Sequence, residues 1–358
     1  MKKRVLLALI LIMCLAGCSK KNTKEEAKTK APKVTKEAEV IKETKEPEPE
    51  ESKESHYKFN PYAISQYEKD IFGEKMVNTW FNIVDALMKG EEMFECPDQF
   101  TYDWVMGQMR GICLPVAGAY TDVTYGAYEV TDGYGKINYL IPVDEYLKKQ
   151  EEFIELTESI LNEYLDDDDS DFEKCLKLYL YMVHNYEYDY DVYNRMEYEF
   201  VEETNSYRPF IEHKGICHEL SSAYSYLLVQ AGVNATTMSG DSEQLEPHQW
   251  SYVEINGKNY HIDPTFGLGE NNYLYVFMMN DEQRGNVSGY YKKDYIISCV
   301  YAQEYGAPEY SSDDDSFSFL WDKYYIGHNE KKKTIRYSDS PEGSAGTKTG
   351  YFSYKELE

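Results

Sequence analysis

Apolar residues recur at helical spacing in several stretches of the chain. Helices are predicted over residues 64–88, 143–165, 171–185 and 217–230. The third of these has a continuous apolar stripe, which indicates that it packs in a core. Its apolar positions are Phe172, Cys175, Leu176, Tyr179, Leu180 and Val183. The fourth helix is expected to end at the Ala231-Gly232 pair, because glycine permits the left-handed backbone of a helix C-terminus.

Other stretches have the composition of β-strands and turns. Short strands are predicted over residues 117–142, with turns at Gly126 and at the Asp132-Gly133 pair. A further strand is predicted over residues 273–279. Residues 311–316 are acidic and rich in serine, which is typical of a linker. The chain beyond it is therefore interpreted as part of a C-terminal extension.

The strongest turn signal is the Asn256-Gly257 pair, which predicts a two-residue β-hairpin. Because side chains alternate along a strand, one face of this hairpin would carry His248, Trp250, Tyr252, Asn259, His261 and Asp263. In this register His248 and Asp263 are diagonal neighbours, about 7–8 Å apart at the backbone, which their side chains can span. We therefore predict a contact between His248 and Asp263, which a slip of one residue would remove.

A thiol at a helix N-terminus is the first candidate for chemistry. Cys217 opens the helix of residues 217–230, where the free amides and the helix dipole favour a thiolate. The same amides are able to donate to an oxyanion. His248 is the candidate base and Asp263 the acid that orients it. His261 shares the hairpin face but lies further from the strand end, and His218 is expected to point elsewhere.

Two other interpretations of these residues stay open. Cys217 alone would also fit a small buried core residue. A zinc site from Cys217, His218, His248 and Asp263 has suitable ligand types, but adjacent Cys and His are poorly spaced and the chain has no paired-cysteine motif. The acidic run of residues 166–169 lacks the alternation and glycine of a calcium loop, and is interpreted as a solvated turn. No metal and no cofactor are expected.

The first residues have the features of an export signal. Lys2, Lys3 and Arg4 precede the apolar run of residues 5–15, which is too short to span a bilayer. The sequence around Cys18 resembles a bacterial lipobox, in which the cysteine is lipidated; an ordinary signal peptide is the alternative. We therefore predict a lipoprotein signal peptide over residues 1–17, with the protein anchored outside the cytoplasm to the bacterial cell membrane through Cys18.

Composition limits the remaining choices. Residues 18–55 are rich in Lys, Glu, Thr and Pro, which predicts a disordered, charged stalk. The formal net charge of −27 argues against nucleic acid as a partner. Beyond the stalk, an odd number of cysteines leaves at least one thiol unpaired or bridged to another chain. These are Cys96, Cys113, Cys175, Cys217 and Cys299. Cys96 and Cys113 are one conceivable disulfide pair.

Three motifs together resemble the transglutaminase-like superfamily. They are Gly-Ile-Cys at residues 215–217, His-Gln-Trp at residues 248–250, and Tyr-His-Ile-Asp-Pro-Thr-Phe-Gly at residues 260–267. The resemblance covers roughly residues 165–280. It implies a papain-like α+β fold, in which a helix with an N-terminal Cys packs on an antiparallel sheet that carries His and Asp. It also implies Cys217 as nucleophile, His248 as base, Asp263 as its orienting acid, and Trp250 in the wall of the substrate site.

The resemblance also organises the chain into domains. A mixed α/β accessory region (residues 56–160) would precede a transglutaminase-like domain (161–300) and a C-terminal extension (301–358). The expected activity is cysteine-dependent acyl transfer on peptide or protein amides, most simply hydrolysis through a thioester. Such a substrate would be consistent with association with the cell wall. The alternatives are a protein-crosslinking transglutaminase and a non-catalytic surface module that binds peptide or glycan. Papain-type enzymes have a glutamine shortly before the cysteine; residues 209–212 contain none, so the second oxyanion donor is unassigned.

Overall fold

A computed structural model describes residues 56–108, 114–122, 128–196, 204–269, 272–297, 310–341, 344 and 346–355. The predicted signal peptide, Cys18, the stalk, the Gly126 turn, Cys113 and Cys299 lie outside the described residues. Cys96, the proposed partner of Cys113, carries a free thiol. Within the described ranges, no helix combines the length and the apolar character needed to cross a membrane.

The described residues form both helices and small sheets, so the fold is α+β. The helices are α1 (Gln66–Lys89), α2 (Gln99–Gln108), α3 (Pro115–Tyr120), α4 (Val143–Tyr164), α5 (Asp171–Asn185), α6 (Tyr190–Met196), α7 (Arg208–Glu212), α8 (Cys217–Gln230) and α9 (Asp281–Ser288). The strands are β1 (Met93–Glu95), β2 (Tyr134–Lys136), β3 (Glu187–Tyr188), β4 (Lys214–Gly215), β5 (Ala235–Ser242), β6 (Leu245–Ile255), β7 (Lys258–Ile262), β8 (Tyr295–Ile297), β9 (Tyr324–Asn329), β10 (Thr334–Ser338) and β11 (Thr349–Ser353).

The largest sheet among the described residues has four antiparallel strands in the order β7-β6-β5-β8. Strands β1 and β2 pair antiparallel, β3 and β4 pair parallel, and the C-terminal strands form a sheet in the order β11-β10-β9. Helix α8 packs against the four-stranded sheet, where it contacts the backbone of β5 and the Ser251 side chain of β6. The central unit is therefore one helix on one antiparallel sheet.

The strongly periodic helices are confirmed. Helix α5 begins and ends as predicted. At its N-terminus the Ser170 hydroxyl accepts from the Glu173 amide, and the Glu173 carboxylate accepts from the Ser170 amide. Helix α8 also has its predicted bounds. Helix α1 ends at Gly90, which adopts the left-handed backbone with φ 71°. Strong local signals therefore located these elements without tertiary information.

One predicted strand region is confirmed only in part, by β2 within residues 117–142, and another is wrong. Residues 117–120, at the start of the region 117–142, belong to helix α3, whose first turn contains Pro115. Residues 273–279 form no strand; isolated bridges connect Tyr273 to Tyr324 and Met279 to His261. Met278 has φ 54°, which interrupts an extended backbone. The Asp132-Gly133 turn is confirmed, with φ 52° and 81°.

The regions before and after the central unit share its hydrophobic core. Leu87, Phe172 and Leu227 belong to one buried cluster together with Phe317 and Ile335 from the C-terminal region. The interpretation of residues 311–316 as a linker is wrong. Ser312 is buried, and its backbone amide donates a hydrogen bond to the Asp281 carboxylate. The Asp314 carboxylate accepts a hydrogen bond from the Tyr260 hydroxyl. This segment packs along β7, because its acidic and serine side chains find buried polar partners there.

Candidate active site

The N-terminus of α8 is held by a buried ionic network. Glu219, which is fully buried, accepts a hydrogen bond from the Ile216 amide at 3.1 Å and from Arg208 Nε at 2.9 Å. Arg208 Nη1 also donates to Asp189 at 2.7 Å. Because these contacts join α7, β3 and α8, they fix the backbone on both sides of Cys217. The Cys217 side chain itself is partly exposed.

The hairpin has the predicted register. Asn256 and Gly257 have φ 52° and 75°, as a two-residue turn of this kind requires, and Ile255 pairs with Lys258. His248 Nε2 lies 2.6 Å from Asp263 Oδ2, so the predicted contact between these residues is confirmed. The Asp263 carboxylate is fully buried, whereas the His248 side chain keeps 18% of its surface exposed.

Polar side chains join the helix to the hairpin. Gln249 Nε2 donates to Ser221 Oγ at 3.0 Å and to Ser222 Oγ at 3.2 Å. Ser251 Oγ donates to the Ser221 carbonyl at 3.1 Å and accepts from Ser225 Oγ at 2.8 Å. Since serine is small, α8 approaches the strand closely at these positions. The contact places Cys217 and His248 next to each other, so that each shifts the pKa of the other.

The site favours an ion pair between Cys217 and His248. Burial raises the pKa of Cys217, but the His248 charge and hydrogen bonds from His218 and His248 outweigh it, lowering the pKa to about 5. Burial lowers the pKa of His248, but the charges of Asp263 and Cys217 outweigh it and raise the pKa to about 10. Because Asp263 occupies Nε2, Nδ1 is the ring nitrogen left to face the thiol.

Two further side chains reach Cys217. His218 interacts with the thiol and helps to lower its pKa, so the expectation that it points elsewhere is wrong. The helix start allows this, because the backbone turns there and brings adjacent side chains together. Tyr188 lies beside Cys217: burial raises the pKa of its phenol, and the Cys217 backbone amide acts to lower it. Tyr188 comes from β3, which pairs with β4 immediately before Cys217. No sequence motif identified it; the parallel pairing places it.

His261 lies on the same hairpin face but away from the thiol. It is fully buried, accepts from Trp250 Nε1 at Nδ1 (2.8 Å), and contacts Asp281 Oδ1 through Nε2 at 2.9 Å. Both ring nitrogens are therefore used inside the core. Trp250 also has no exposed surface, and its ring lies against that of His248 with centroids 6.1 Å apart. Its predicted place in the wall of the substrate site stays a prediction.

Arg284 is a site residue that the sequence did not reveal. Its Nη2 donates to Asp263 Oδ2 at 3.2 Å from helix α9, and the side chain is fully buried. A lone arginine in a short polar helix has no periodic pattern or spacing that would connect it to Asp263.

The described residues contain one cluster of potential metal ligands, but a lysine occupies it. Asp166, Asp169 and Glu330 have oxygen atoms within 4.8 Å of one another. Lys177 Nζ lies 2.9, 2.7 and 3.0 Å from these three carboxylates. Asp169 is buried, so the interpretation of residues 166–169 as a wholly solvated turn is wrong at that position. Asp166 and Asp169 therefore neutralise the ammonium group of Lys177.

The geometry also argues against zinc at Cys217. Asp263 contacts Nε2 of His248, the nitrogen on the side away from the thiol. A single ion could therefore not bind Asp263 and Cys217 together with His248 between them.

Comparison with known proteins gives limited similarity. The sequence matches no protein-family model and no curated protein. A solved structure described as a "Putative Cysteine Protease" from Cytophaga hutchinsonii is similar over 33% of this chain and 39% of that chain, with 16% identity and a TM-score of 0.26. A TGase structure is similar over 41% of this chain and 38% of that chain, with 15% identity and a TM-score of 0.29. The chain thus spans less than half of either neighbour, and the function below is inferred from the site geometry.

Proposed function

We propose that the protein is a cysteine-dependent acyl-transfer enzyme of the transglutaminase-like kind, which hydrolyses peptide or protein amides. The observation that carries the proposal is the alignment of Cys217, His248 and Asp263, with a partly exposed thiol at a helix N-terminus and a buried carboxylate on the far ring nitrogen. The lipobox-like sequence at Cys18 supports an enzyme tethered outside the cytoplasm. We also propose that helix α8 and the four-stranded sheet correspond to the papain-like core of such enzymes.

In the first half of the reaction, the Cys217 thiolate attacks the carbonyl carbon of the amide and a C–S bond forms. The carbonyl electron pair moves to oxygen and gives a tetrahedral oxyanion. The His248 imidazolium then gives its proton to the leaving nitrogen, the C–N bond breaks, and a free amine departs. Asp263 holds the ring orientation and balances its charge throughout. The product is a thioester on Cys217.

In the second half, neutral His248 removes a proton from water, which attacks the thioester carbonyl. The C–S bond breaks, the carboxylic acid leaves, and the proton on His248 restores the ion pair with the thiolate. An amine in place of water would give a cross-link by the same steps.

The oxyanion is stabilised by hydrogen-bond donors, and we propose two of them. One is the Cys217 amide at the start of α8. We assign the Tyr188 hydroxyl as the other, since it already lies at that amide and its O–H is able to turn to the same oxygen. This assignment supplies the donor for which residues 209–212 offer no glutamine.

The Tyr188 assignment is tested by Tyr188→Phe with two reagents. Acylation of Cys217 by p-nitrophenyl acetate builds an oxyanion, whereas alkylation by iodoacetamide does not. We expect acylation to slow about 100-fold or more, because one donor of an oxyanion hole is removed. Alkylation should change less than about threefold. Equal slowing of both reactions, or faster acylation, would remove Tyr188 from the oxyanion hole.

The proposed function is tested by digesting a proteome-derived peptide library with the protein and with Cys217→Ala. Cleavage products that disappear in Cys217→Ala would support hydrolysis and would give the substrate preference. Cross-linked peptides under the same control would indicate transglutaminase activity instead. A Cys217 thiol that reacts with iodoacetamide no faster than a free cysteine at pH 6.5, together with no turnover, would favour a binding module and reject the enzyme.

A further inference from the structure

Arg284 is a fully buried arginine beside the candidate site. Its position in α9 is fixed by the Asn280 N-cap, whose carbonyl accepts from the Arg284 amide at 2.9 Å. The guanidinium Nη2 donates to Asp263 Oδ2 at 3.2 Å. The Arg284 Cζ atom lies 4.2 Å from the Trp250 ring centroid, so the guanidinium lies between a carboxylate and an aromatic face.

The hydrogen bonding of Arg284 is incomplete. Nε and Nη1 have no hydrogen-bond partner among the described residues. Burying a charged group with unmade hydrogen bonds is costly, and buried ion pairs are often replaced by well-packed apolar side chains without loss of stability. The contact with Trp250 offsets part of this cost. Packing alone therefore gives no reason for a charge at this position, whereas the contact with Asp263 does.

Four ionised side chains lie in sequence through the site. These are the Cys217 thiolate, the His248 imidazolium, the Asp263 carboxylate and the Arg284 guanidinium. Asp263 Oδ2 faces both His248 Nε2 at 2.6 Å and Arg284 Nη2 at 3.2 Å, while Oδ1 accepts from the Thr265 amide at 3.1 Å. With Arg284 the four charges cancel. Without it the site carries one net negative charge, which opposes ionisation of the thiol.

We propose that Arg284 is a positioning residue for the chemistry described above: it fixes the Asp263 carboxylate and balances its charge, so that Cys217 and His248 can stay ionised together. The inference rests on the proposed function. Arg284 does not touch the reacting atoms and acts through Asp263.

Other titratable groups face this quartet from neighbouring elements. His218 and Tyr188 lie at the thiol, Glu219 and Arg208 face His218, and Asp281 lies at His261. Tyrosines face the other two members: Tyr179 faces Asp263, and Tyr275, Tyr290 and Tyr295 face Arg284. Burial raises the pKa of Tyr290 to about 12 and raises that of Tyr188 and Tyr295 further, so these three phenols are neutral near pH 7. They do not replace the positive charge of Arg284.

The test is the pH dependence of Cys217 alkylation by iodoacetamide in three variants of the full chain. Arg284→Met removes charge and hydrogen bond, Arg284→Gln keeps a donor without charge, and Arg284→Lys keeps charge. The alkylation rate rises with pH as the thiolate forms, and this rise is the acid limb of the profile. Removing a nearby positive charge disfavours the thiolate, so the acid limb should move to higher pH by about one unit in Arg284→Met and Arg284→Gln. Arg284→Lys should restore the limb to within about 0.3 unit of the wild type.

The position of the limb separates charge from packing. A purely structural role would lower the melting temperature or the amount of reactive protein but leave the limb where it is in the wild type, and that result would overturn the inference. Arg284→Gln keeps the test decisive if Arg284→Met fails to fold, because the polar side chain preserves the contact with Asp263. A wild-type Cys217 that titrates as an ordinary thiol would reject the proposed function and this inference together. A low wild-type limb that none of the variants shifts would reject the inference alone.

Discussion

One face of the hairpin carries two histidines that each contact an aspartate, and the two histidines are in opposite states. His248 contacts Asp263 at 2.6 Å and His261 contacts Asp281 at 2.9 Å. The pKa of His248 is raised to about 10 by the charges of Asp263 and Cys217, against the effect of burial. Burial lowers the pKa of His261 below its usual value despite Asp281. A nearby carboxylate therefore does not by itself determine the charge of a histidine.

The second ring nitrogen explains the difference. Nδ1 of His261 accepts a hydrogen bond from Trp250 Nε1, which requires that this nitrogen carry no proton. In His248 the corresponding nitrogen faces the Cys217 thiol, and a thiolate there favours a second proton. One pair is thus suited to proton transfer, and the other to holding the sheet together.

The largest expected effect is a difference in acyl-transfer activity between variants of the two carboxylates, Asp263 and Asp281. Asp263→Asn should lower acyl transfer about a hundredfold or more, because the amide no longer balances the His248 charge or selects its ring orientation. The matched variant Asp281→Asn should change acyl transfer less than about threefold and destabilise the fold by about 1–2 kcal/mol. Acylation kinetics with p-nitrophenyl acetate and denaturant unfolding measure both quantities. Similar losses of activity in both variants would show that the two pairs are not functionally distinct.

A smaller effect is expected when the His248 charge is removed. In wild-type protein, the Cys217 thiolate should form as pH rises through about 5. His248→Ala should move this limb upward toward the ordinary thiol range near pH 9. Because a less acidic thiol is also more nucleophilic, iodoacetamide alkylation should slow only about fivefold at pH 6.5 and more at lower pH. Near pH 7 the two rates should become equal, and at higher pH the variant should react faster, because its thiolate is more nucleophilic.

The control for this experiment is His56→Ala, since His56 is exposed and its side chain contacts Asp167, far along the chain from the site. It should reproduce the wild-type profile. An unshifted acid limb in His248→Ala would mean that His248 does not ionise the thiol, and the comparison of the two pairs would lose its basis.

The smallest expected effect is the absence of a change at His261. Its pKa is lowered by burial, so the ring should stay neutral, with the proton on Nε2, throughout pH 6.5–8. Its side-chain nitrogen NMR signals should therefore be constant over this range and show one protonated and one unprotonated nitrogen. Signals of an imidazolium at His261 at pH 7 would contradict the role of the Trp250 hydrogen bond.

Local signals in the chain were enough to predict several features of the site. Helix α8 starts at Cys217 as predicted, and the Asn256-Gly257 turn set a register that made His248 and Asp263 neighbours. Both depend on residues that are close in sequence. The strand prediction was wrong over residues 273–279 and at the start of residues 117–142, where a helix forms, because short segments take their conformation from neighbours, as Tyr273 does from Tyr324.

The sequence by itself thus determined where the thiol lies in its helix and which two residues of the hairpin meet, because backbone hydrogen bonding and side-chain alternation are local. Only the tertiary structure decided that α8 meets the hairpin through Gln249, that Tyr188 and His218 reach Cys217, and that Arg284 stands behind Asp263. Except for that of His218 with its neighbour Cys217, these contacts join segments distant in the chain, and no local pattern encodes them. They form only when the helices and strands pack against one another in the folded core.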